Sequence, residues 1–179
     1  RWSQISAAAW SGFAAELSGA TGFDLGLEQR GGYDLHFSEE CLEATVAKYE
    51  VLKAKLGGDY PYEVLGHNAL RREEPAIGPK VVGAVLHHQD GHANPLKLLR
   101  ALADDVRRLG GVILNGKQVT DVTKRDLFCI TCADGTEVQA QKTVLSAGLG
   151  AMTLGPKLGF KAHIRPQRGQ VLITEKLPK

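Results

Sequence analysis

Hydrophobic and polar residues recur along this chain with two different periods, which together predict a mixture of helices and strands. Apolar residues three and four positions apart predict helices over residues 7–17, 39–56, 68–73 and 95–109. The last of these has the clearest start, because an asparagine cap precedes a proline at the first helical position. Its apolar stripe consists of Leu96, Leu99, Ala103, Val106 and Gly110, widened by Leu102 and Leu109. This pattern predicts that the stripe is the buried face of the helix.

Shorter apolar runs predict strands of two kinds. Residues 25–30 and 33–37 flank a Gly-Gly pair, and the second alternates apolar with polar side chains, which predicts a hairpin with one buried face. The continuous apolar runs at 81–86, 112–114 and 144–146 predict strands with both faces buried. We expect the last two to lie parallel in one sheet, packed against the proline-initiated helix.

Three further strands are predicted between those two parallel strands. They cover residues 118–124, 127–132 and 136–140, and the Asp-Gly pair between the last two is typical of a hairpin turn. An antiparallel meander inserted into a parallel sheet excludes a plain doubly wound fold. The predicted fold class is therefore α/β with mixed α+β character.

The stretch 143–151 ends an apolar run in small residues, among them Ala147 and Gly148. Small residues at the carboxyl end of a strand allow a ligand or another backbone to approach closely. Gly148 and Gly150 could begin a dinucleotide-binding GxGxxG turn, but Thr153 stands where the third glycine is required. We therefore predict a strand end beside a ligand that other residues hold.

Composition and charge restrict the class of protein. The 179 residues include 22 basic and 20 acidic side chains, for a formal net charge of +2 at pH 7. These charges are scattered, so they give no electrostatic basis for binding nucleic acid. The 43% apolar fraction is typical of soluble globular proteins, and no apolar run is long enough to cross a membrane. Three cysteines favour a reducing, cytoplasmic compartment.

Two groups of residues are compatible with a metal site but are interpreted otherwise. Cys129 and Cys132 form a CxxC on a predicted strand, where they would point to opposite faces, and no second pair completes a zinc site. His87, His88 and His92 stand near a predicted turn without neighbouring cysteines and are interpreted as solvated. We predict no metal site, and no disulfide between the two strand cysteines.

Four motifs follow one another along the chain. They are residues 21–26 with 31–35; Glu74-Pro75 and Gly83-Ala84 with 90–95; Val119 and Val122 with 144–148; and 165–170. In order and spacing they resemble the FAD-dependent amine and D-amino acid oxidoreductases, the family that includes glycine oxidase, sarcosine oxidase and D-amino acid dehydrogenase. Within that family the chain is most similar to the opine oxidase and hydrogen cyanide synthase subunits.

The resemblance implies the central part of a two-domain flavoenzyme. Residues 1–90 would be a substrate-domain segment of helices and antiparallel strands. Residues 91–155 would be part of a Rossmann-like FAD-binding domain with its meander, and 156–179 a return to the substrate domain. The family's GxGxxG turn, its ribose-binding acid and its substrate-binding arginine have no counterpart in the sequence. We therefore expect a fragment that is inactive alone.

The resemblance also implies a function and a set of site residues. The complete protein would use FAD to oxidise the CH–NH bond of a D-amino acid, glycine, sarcosine or an opine to an imine. Main-chain atoms of Val119 would contact the adenine. Ala147, Gly148 and Gly150 would border the cofactor. Arg168 and Gln170 would lie on the flavin or substrate side. No catalytic residue is assigned, because hydride transfer from a neutral amine requires no general base.

Alternatives to these assignments remain open from the residues alone. Val119 is also interpreted as a plain buried strand valine, which is compatible with a main-chain contact. Ala147 and Gly148 fit a tight strand exit as well, and the residues favour a surface or structural ion pair for Arg168. The partners implied are a small amine or amino acid, a homo- or hetero-oligomer and a peripheral electron acceptor at the inner face of the membrane. An alternative of another class is a non-catalytic scaffold or remnant module of a flavoprotein, which bound flavin would exclude.

Overall fold

The computed structural model describes residues 2–57, 60–161 and 163–170, which form two compact units, Arg1–Ile113 and Leu114–Lys179. The first unit contains α1 Trp2–Thr21, β1 Gly32–His36, α2 Glu39–Lys55, β2 Glu63–Gly66, α3 His67–Glu73, β3 Gly83–His87 and α4 Pro95–Arg108. The second contains β4 Val119–Lys124, β5 Phe128–Cys132, β6 Glu137–Ala140, a 3₁₀ helix Gly148–Gly150 and α5 Ala151–Lys157. The predicted strand over 171–174 lies outside the described residues.

A three-stranded antiparallel sheet with the order β1-β3-β2 organises the first unit. Strand β3 is central, so Val85 pairs with Asp34 on one side and with Val64 on the other. Helix α3 packs on the sheet over a core that consists of Leu65, Leu70, Val81, Ala84 and Leu86. Helix α2, capped by the Ser38 hydroxyl, contacts β1 and β3. Residues 83–86 of β3 are buried, and both edges of the strand are paired.

A second core lies between α1 and α4. Leu17, Leu25 and Ala101 are almost inaccessible there, and Phe23, Leu27 and Leu98 pack against them. This packing shows that the predicted buried stripe of α4 was wrong, because Leu96 and Leu99 on that stripe are 77% and 67% exposed. Helix α4 carries apolar residues on more than one face, so its sequence alone does not identify the face that meets α1.

The predicted hairpin between residues 25–30 and 33–37 was also wrong. Residues 25–30 form a single bridge, in which Glu28 exchanges two main-chain hydrogen bonds of 2.9 Å with His92. Strand β1 pairs instead with β3. Because Leu25 is only 1% exposed in the core beneath α1 and α4, this segment is drawn away from β1.

The two predicted parallel strands, 112–114 and 144–146, are irregular in the structure. Val112 and Val144 are 80% and 86% exposed. A strand is stable only where a neighbour accepts and donates its main-chain hydrogen bonds, and no described segment pairs with either run. The prediction of two parallel strands was wrong, because the described residues form no such sheet.

The meander predicted for the second unit is confirmed. Its antiparallel order is β4-β5-β6, with Ile130 between Val122 and Val138, and the β5–β6 turn places Gly135 at φ 83°. Helix α5 packs against β4. In the described part of the chain, no helix combines the length and apolar character that a membrane crossing requires.

Candidate functional site

Val119 occupies the first position of β4, where the pairing with β5 becomes irregular. It lies opposite Cys132, and the register shifts between Val119 and Asp121. The amide of Ala133 donates a 2.8 Å hydrogen bond to the carbonyl of Gln118, which fixes the strand entry. Val119 is 36% exposed, whereas Val122 on the same strand is buried. The Val119 side chain is therefore not buried in this chain.

Residues 147–150 form a tight turn that exposes main chain. Gly148 has φ +54°, a left-handed conformation that glycine adopts without a steric penalty. No atom lies within 4 Å of the position that a Gly148 Cβ would occupy, while Gly150 donates a 2.9 Å hydrogen bond to the Ala147 carbonyl. The turn thus leaves open space beside Gly148.

Helix α5 connects this turn to β4. It begins at Ala151, directly after Gly150, and contacts β4. The Lys157 ammonium lies 2.6 Å from Oδ1 of Asp121 in that strand, and its hydrogen bond lowers the pKa of the Asp121 carboxyl. The exposed turn and the Val119 strand are therefore parts of one packed unit.

A pyrophosphate needs helix N–H donors that are free to bind it. At the start of α4, the Asn94 side chain accepts hydrogen bonds from the Leu96 and Lys97 amides, each 3.1 Å long. At the start of α2, the Ser38 hydroxyl accepts from the Cys41 amide at 3.3 Å. Helix α5 is only seven residues long. The side-chain caps of α2 and α4 therefore occupy donors that a phosphate would need there.

The sequence model of the FAD dependent oxidoreductase family, DAO, matches residues 1–179. The chain belongs to this family. It is 34% identical over 176 residues to an opine oxidase subunit of Rhizobium meliloti, and the match covers 98% of the chain and 47% of that protein. It is 24% identical over 172 residues to glycine oxidase of Bacillus licheniformis, covering 96% and 44%. The predicted family and its dependence on FAD are thereby confirmed.

The structure of this FAD dependent oxidoreductase resembles that of a solved relative. It matches the crystal structure of glycine oxidase from Geobacillus kaustophilus with a TM-score of 0.78 and 25% identity, covering 87% of this chain and 41% of that one. The mixed α/β fold class is confirmed. The chain spans about half the length of the curated relatives that it matches, 47% and 44% of the two above.

Arg168 and Gln170 lie in the irregular segment 163–170, and both are exposed. No helix or strand fixes their position. Their assignment to the flavin or substrate side of the oxidoreductase therefore stays a prediction.

The cysteines and histidines are dispersed. Cys41, Cys129 and Cys132 are free thiols, and the described residues include no group of three or more histidine, cysteine or acidic side chains arranged to hold a metal. His88 Nε2 lies 3.7 Å from a carboxylate oxygen of Glu63. His88 and His92 are exposed as predicted, whereas His87 is half-buried, because its ring packs edge-on against Tyr49 with centroids 4.9 Å apart.

Sequence reasoning missed an aromatic group around His87. Its other members are Tyr49 on α2 and the tyrosines that flank Pro61, with ring centroids 5.5–6.3 Å apart among Tyr49, Tyr60 and Tyr62. The Tyr-Pro-Tyr sequence was the available signal, because it places two rings beside a residue that restricts the backbone. The contribution from α2 and β3 could be found only from the fold.

Proposed function

We propose that the complete protein is an FAD-dependent oxidase or dehydrogenase that converts the CH–NH bond of an amino acid or secondary amine to an imine. The family match over all 179 residues carries this proposal. The similarity to the opine oxidase subunit and to glycine oxidase supports an opine or glycine as substrate. Sarcosine and D-amino acids are the other substrates that the proposal includes. When bound, FAD supplies the chemistry by accepting hydride from the carbon that bears the amine.

The residues of this chain would position the cofactor. In the proposal, main-chain atoms at Val119 contact the adenine, and Ala147, Gly148 and Gly150 border the cofactor. The partly exposed start of β4 and the open face of Gly148 support these roles. We further propose that two exposed side chains approach the flavin or substrate side, Arg168 and Gln170.

The domain assignment extends this proposal. Residues 1–90 and 156–179 would belong to a substrate domain, and residues 91–155 to the FAD-binding domain. The two compact units divide this chain after Ile113, and this division does not test the domain assignment, which stays a prediction. We also propose a cytoplasmic enzyme that acts alone or as an oligomer and passes electrons to oxygen or to a peripheral membrane acceptor.

We propose that the 179-residue chain is inactive by itself. Phosphate binding at helix N-termini depends on free N–H donors, and burying a charged group without partners costs several kcal/mol. The caps on α2 and α4 occupy such donors here. Catalysis also needs the substrate carbon held near the flavin, and misplacement by about 1 Å costs roughly 100-fold in rate.

The test compares this chain with a version extended at both ends to the length of its relatives. Each is assayed with added FAD, a panel of D-amino acids, glycine, sarcosine and opines, and an artificial electron acceptor. We expect a yellow, active extended protein and a colourless, inactive short chain. Activity of the short chain would contradict its proposed inactivity. An extended protein that takes up no flavin would favour the scaffold alternative.

Two glycines allow a matched test of the cofactor border. Gly148 and Gly135 both have positive φ, and both have open space at the Cβ position. Alanine at either site therefore carries a similar backbone penalty, about 1–2 kcal/mol. In the extended protein we expect Gly148→Ala to weaken FAD binding and Gly135→Ala to leave it unchanged. Equal FAD affinity in both variants would contradict the border assignment.

A further inference from the structure

An aromatic and acidic groove lies on the first unit. Its walls are the first turns of α1, the Tyr60-Pro61 segment and the residues that follow β3, and its volume is about 330 Å³. Tyr60 and His87 are its aromatic lining residues, and Asp90 is its acidic one. A neighbouring cavity of about 290 Å³ shares Asp90 and adds Trp10 and His92. Asp90 thus lines two neighbouring cavities, each of which also has aromatic lining residues.

The aromatic wall is held in place by its own packing. The Tyr60 ring lies 5.8 Å from the Tyr49 ring and 6.1 Å from the His87 ring. Tyr62 lies behind them, and its hydroxyl donates to the Glu50 carboxylate, which raises the pKa of Tyr62 to about 12. An electron-rich ring face fixed in this way attracts a cation without first losing side-chain freedom.

The position of Asp90 is also fixed. Its main-chain carbonyl accepts a 3.1 Å hydrogen bond from the Gly31 amide, and its Oδ1 accepts a 2.8 Å bond from the Gly91 amide. Its Oδ2 lies 2.6 Å from where a Gly32 Cβ would be. The Asp90 carboxylate therefore packs against the main chain at Gly32, where any side chain would collide with it.

The ion pairs among the described residues do not include this carboxylate. Asp24, Asp121 and Asp134 each form an ion pair with a lysine. By contrast, no lysine or arginine among the described residues lines either cavity, and none of them is paired with Asp90. A groove with one carboxylate and aromatic lining residues is complementary to a cation rather than to an anion.

We propose that this groove binds a small organic ammonium ion, with the ammonium between the Asp90 carboxylate and the rings of Tyr60 and His87. The proposal goes beyond the flavin chemistry and does not depend on it, because it requires only residues of the first unit. An ion pair with an exposed carboxylate contributes little free energy, and so does a cation–π contact. We therefore expect a dissociation constant on the order of millimolar.

The test is a titration of the 179-residue chain with n-butylammonium chloride, followed by two-dimensional NMR at low ionic strength. We expect saturable shifts at Tyr60, His87 and Asp90 that weaken as salt is added. The uncharged 1-butanol should produce no comparable shifts. Absence of saturation up to about 100 mM, or equal shifts with 1-butanol, would overturn the proposal.

Variants identify the groups that bind. Asp90→Asn and Gly32→Ala remove or displace the carboxylate, and we expect each to weaken binding about fivefold. Tyr60→Leu should weaken it about threefold, while Tyr60→Phe retains the ring and should retain binding. Asp126→Asn, in the second unit, is the charge-matched control. Unchanged affinity in both carboxylate variants, with circular dichroism showing native structure, would rule out the site.

Discussion

The ammonium nitrogen of Lys157 lies 2.6 Å from Oδ1 of Asp121, and this ion pair joins α5 to the outer strand β4. The hydrogen bond from Lys157 is the main reason that the pKa of Asp121 lies below its usual 3.8. Because the pKa is lower in the folded state, the pair stabilises the fold above about pH 4. That stability is lost as the pH falls through the folded-state value.

We therefore expect Asp121→Asn to increase hydrogen exchange of the α5 amides at pH 7, with a smaller difference from the unsubstituted chain in strong acid. Both side chains are about two-fifths exposed, 39% and 41%, so solvent screening should keep the effect small and salt should reduce it further. Asp126→Asn serves as the control. An effect of Asp121→Asn that grows on acidification would contradict this assignment.

The two faces of α4 should respond oppositely to substitution. Ala101 is fully buried against α1, so Ala101→Leu should lower the free energy of unfolding by about 1–3 kcal/mol. Leu99 is 67% exposed, so Leu99→Ala should change it by less than about 0.5 kcal/mol. Urea denaturation of both variants measures this difference. A larger loss from Leu99→Ala would mean that the sequence-predicted stripe is the packed face after all.

Gly91 provides a test of the bridge between residues 28 and 92. A Cβ at Gly91 would lie 2.3 Å from the Glu28 carbonyl oxygen and 2.8 Å from the Gln29 Cα, so the main chain would have to move. We expect Gly91→Ala to destabilise the first unit by about 1–3 kcal/mol in thermal unfolding. Gly78→Ala meets open space and should be neutral or slightly stabilising. Equal unfolding temperatures for the two variants would be inconsistent with this close approach.

Tyr33 connects β1 to α3 through a 2.6 Å hydrogen bond from its hydroxyl to Oε2 of Glu73. This bond is the largest contribution that raises the pKa of Tyr33 to about 12. The stabilisation should be complete below the unfolded value of 10 and decline as the pH rises towards 12. In Glu73→Gln, ultraviolet titration should show one tyrosine moving towards 10 while Tyr62 stays near 12. A titration identical to that of the unsubstituted chain would contradict the assignment.

The meander was predictable because its information is local. Each of its strands is followed by the next within a few residues, and the Asp134-Gly135 turn fixes their pairing. The runs 112–114 and 144–146 carry equally apolar residues but remain irregular. Strand composition indicates only the capacity to pair, and whether a partner is present is not encoded in the run itself.

The features around the candidate residues were likewise predictable only where their cause is local in the sequence. The openness at Gly148 follows from a glycine after a short apolar run, and the sequence indicated it. The surroundings of His87 did not follow, because Tyr49 and Tyr60 reach it from separate elements. Three neighbouring histidines suggested solvation when they were considered as neighbours in sequence. The fold separates them, since β3 ends at His87 and directs His88 towards Glu63.

The uncovered apolar side of α4 gives one substitution two opposite outcomes. Glutamate in place of Leu99 should make a preparation of this chain more soluble, since it interrupts an exposed row of leucines and valine. In the complete enzyme proposed above, we expect further chain to close over that row, and an unpaired glutamate there would be strongly destabilising. A solubility screen on this chain alone would therefore favour sequences that the complete enzyme could not use.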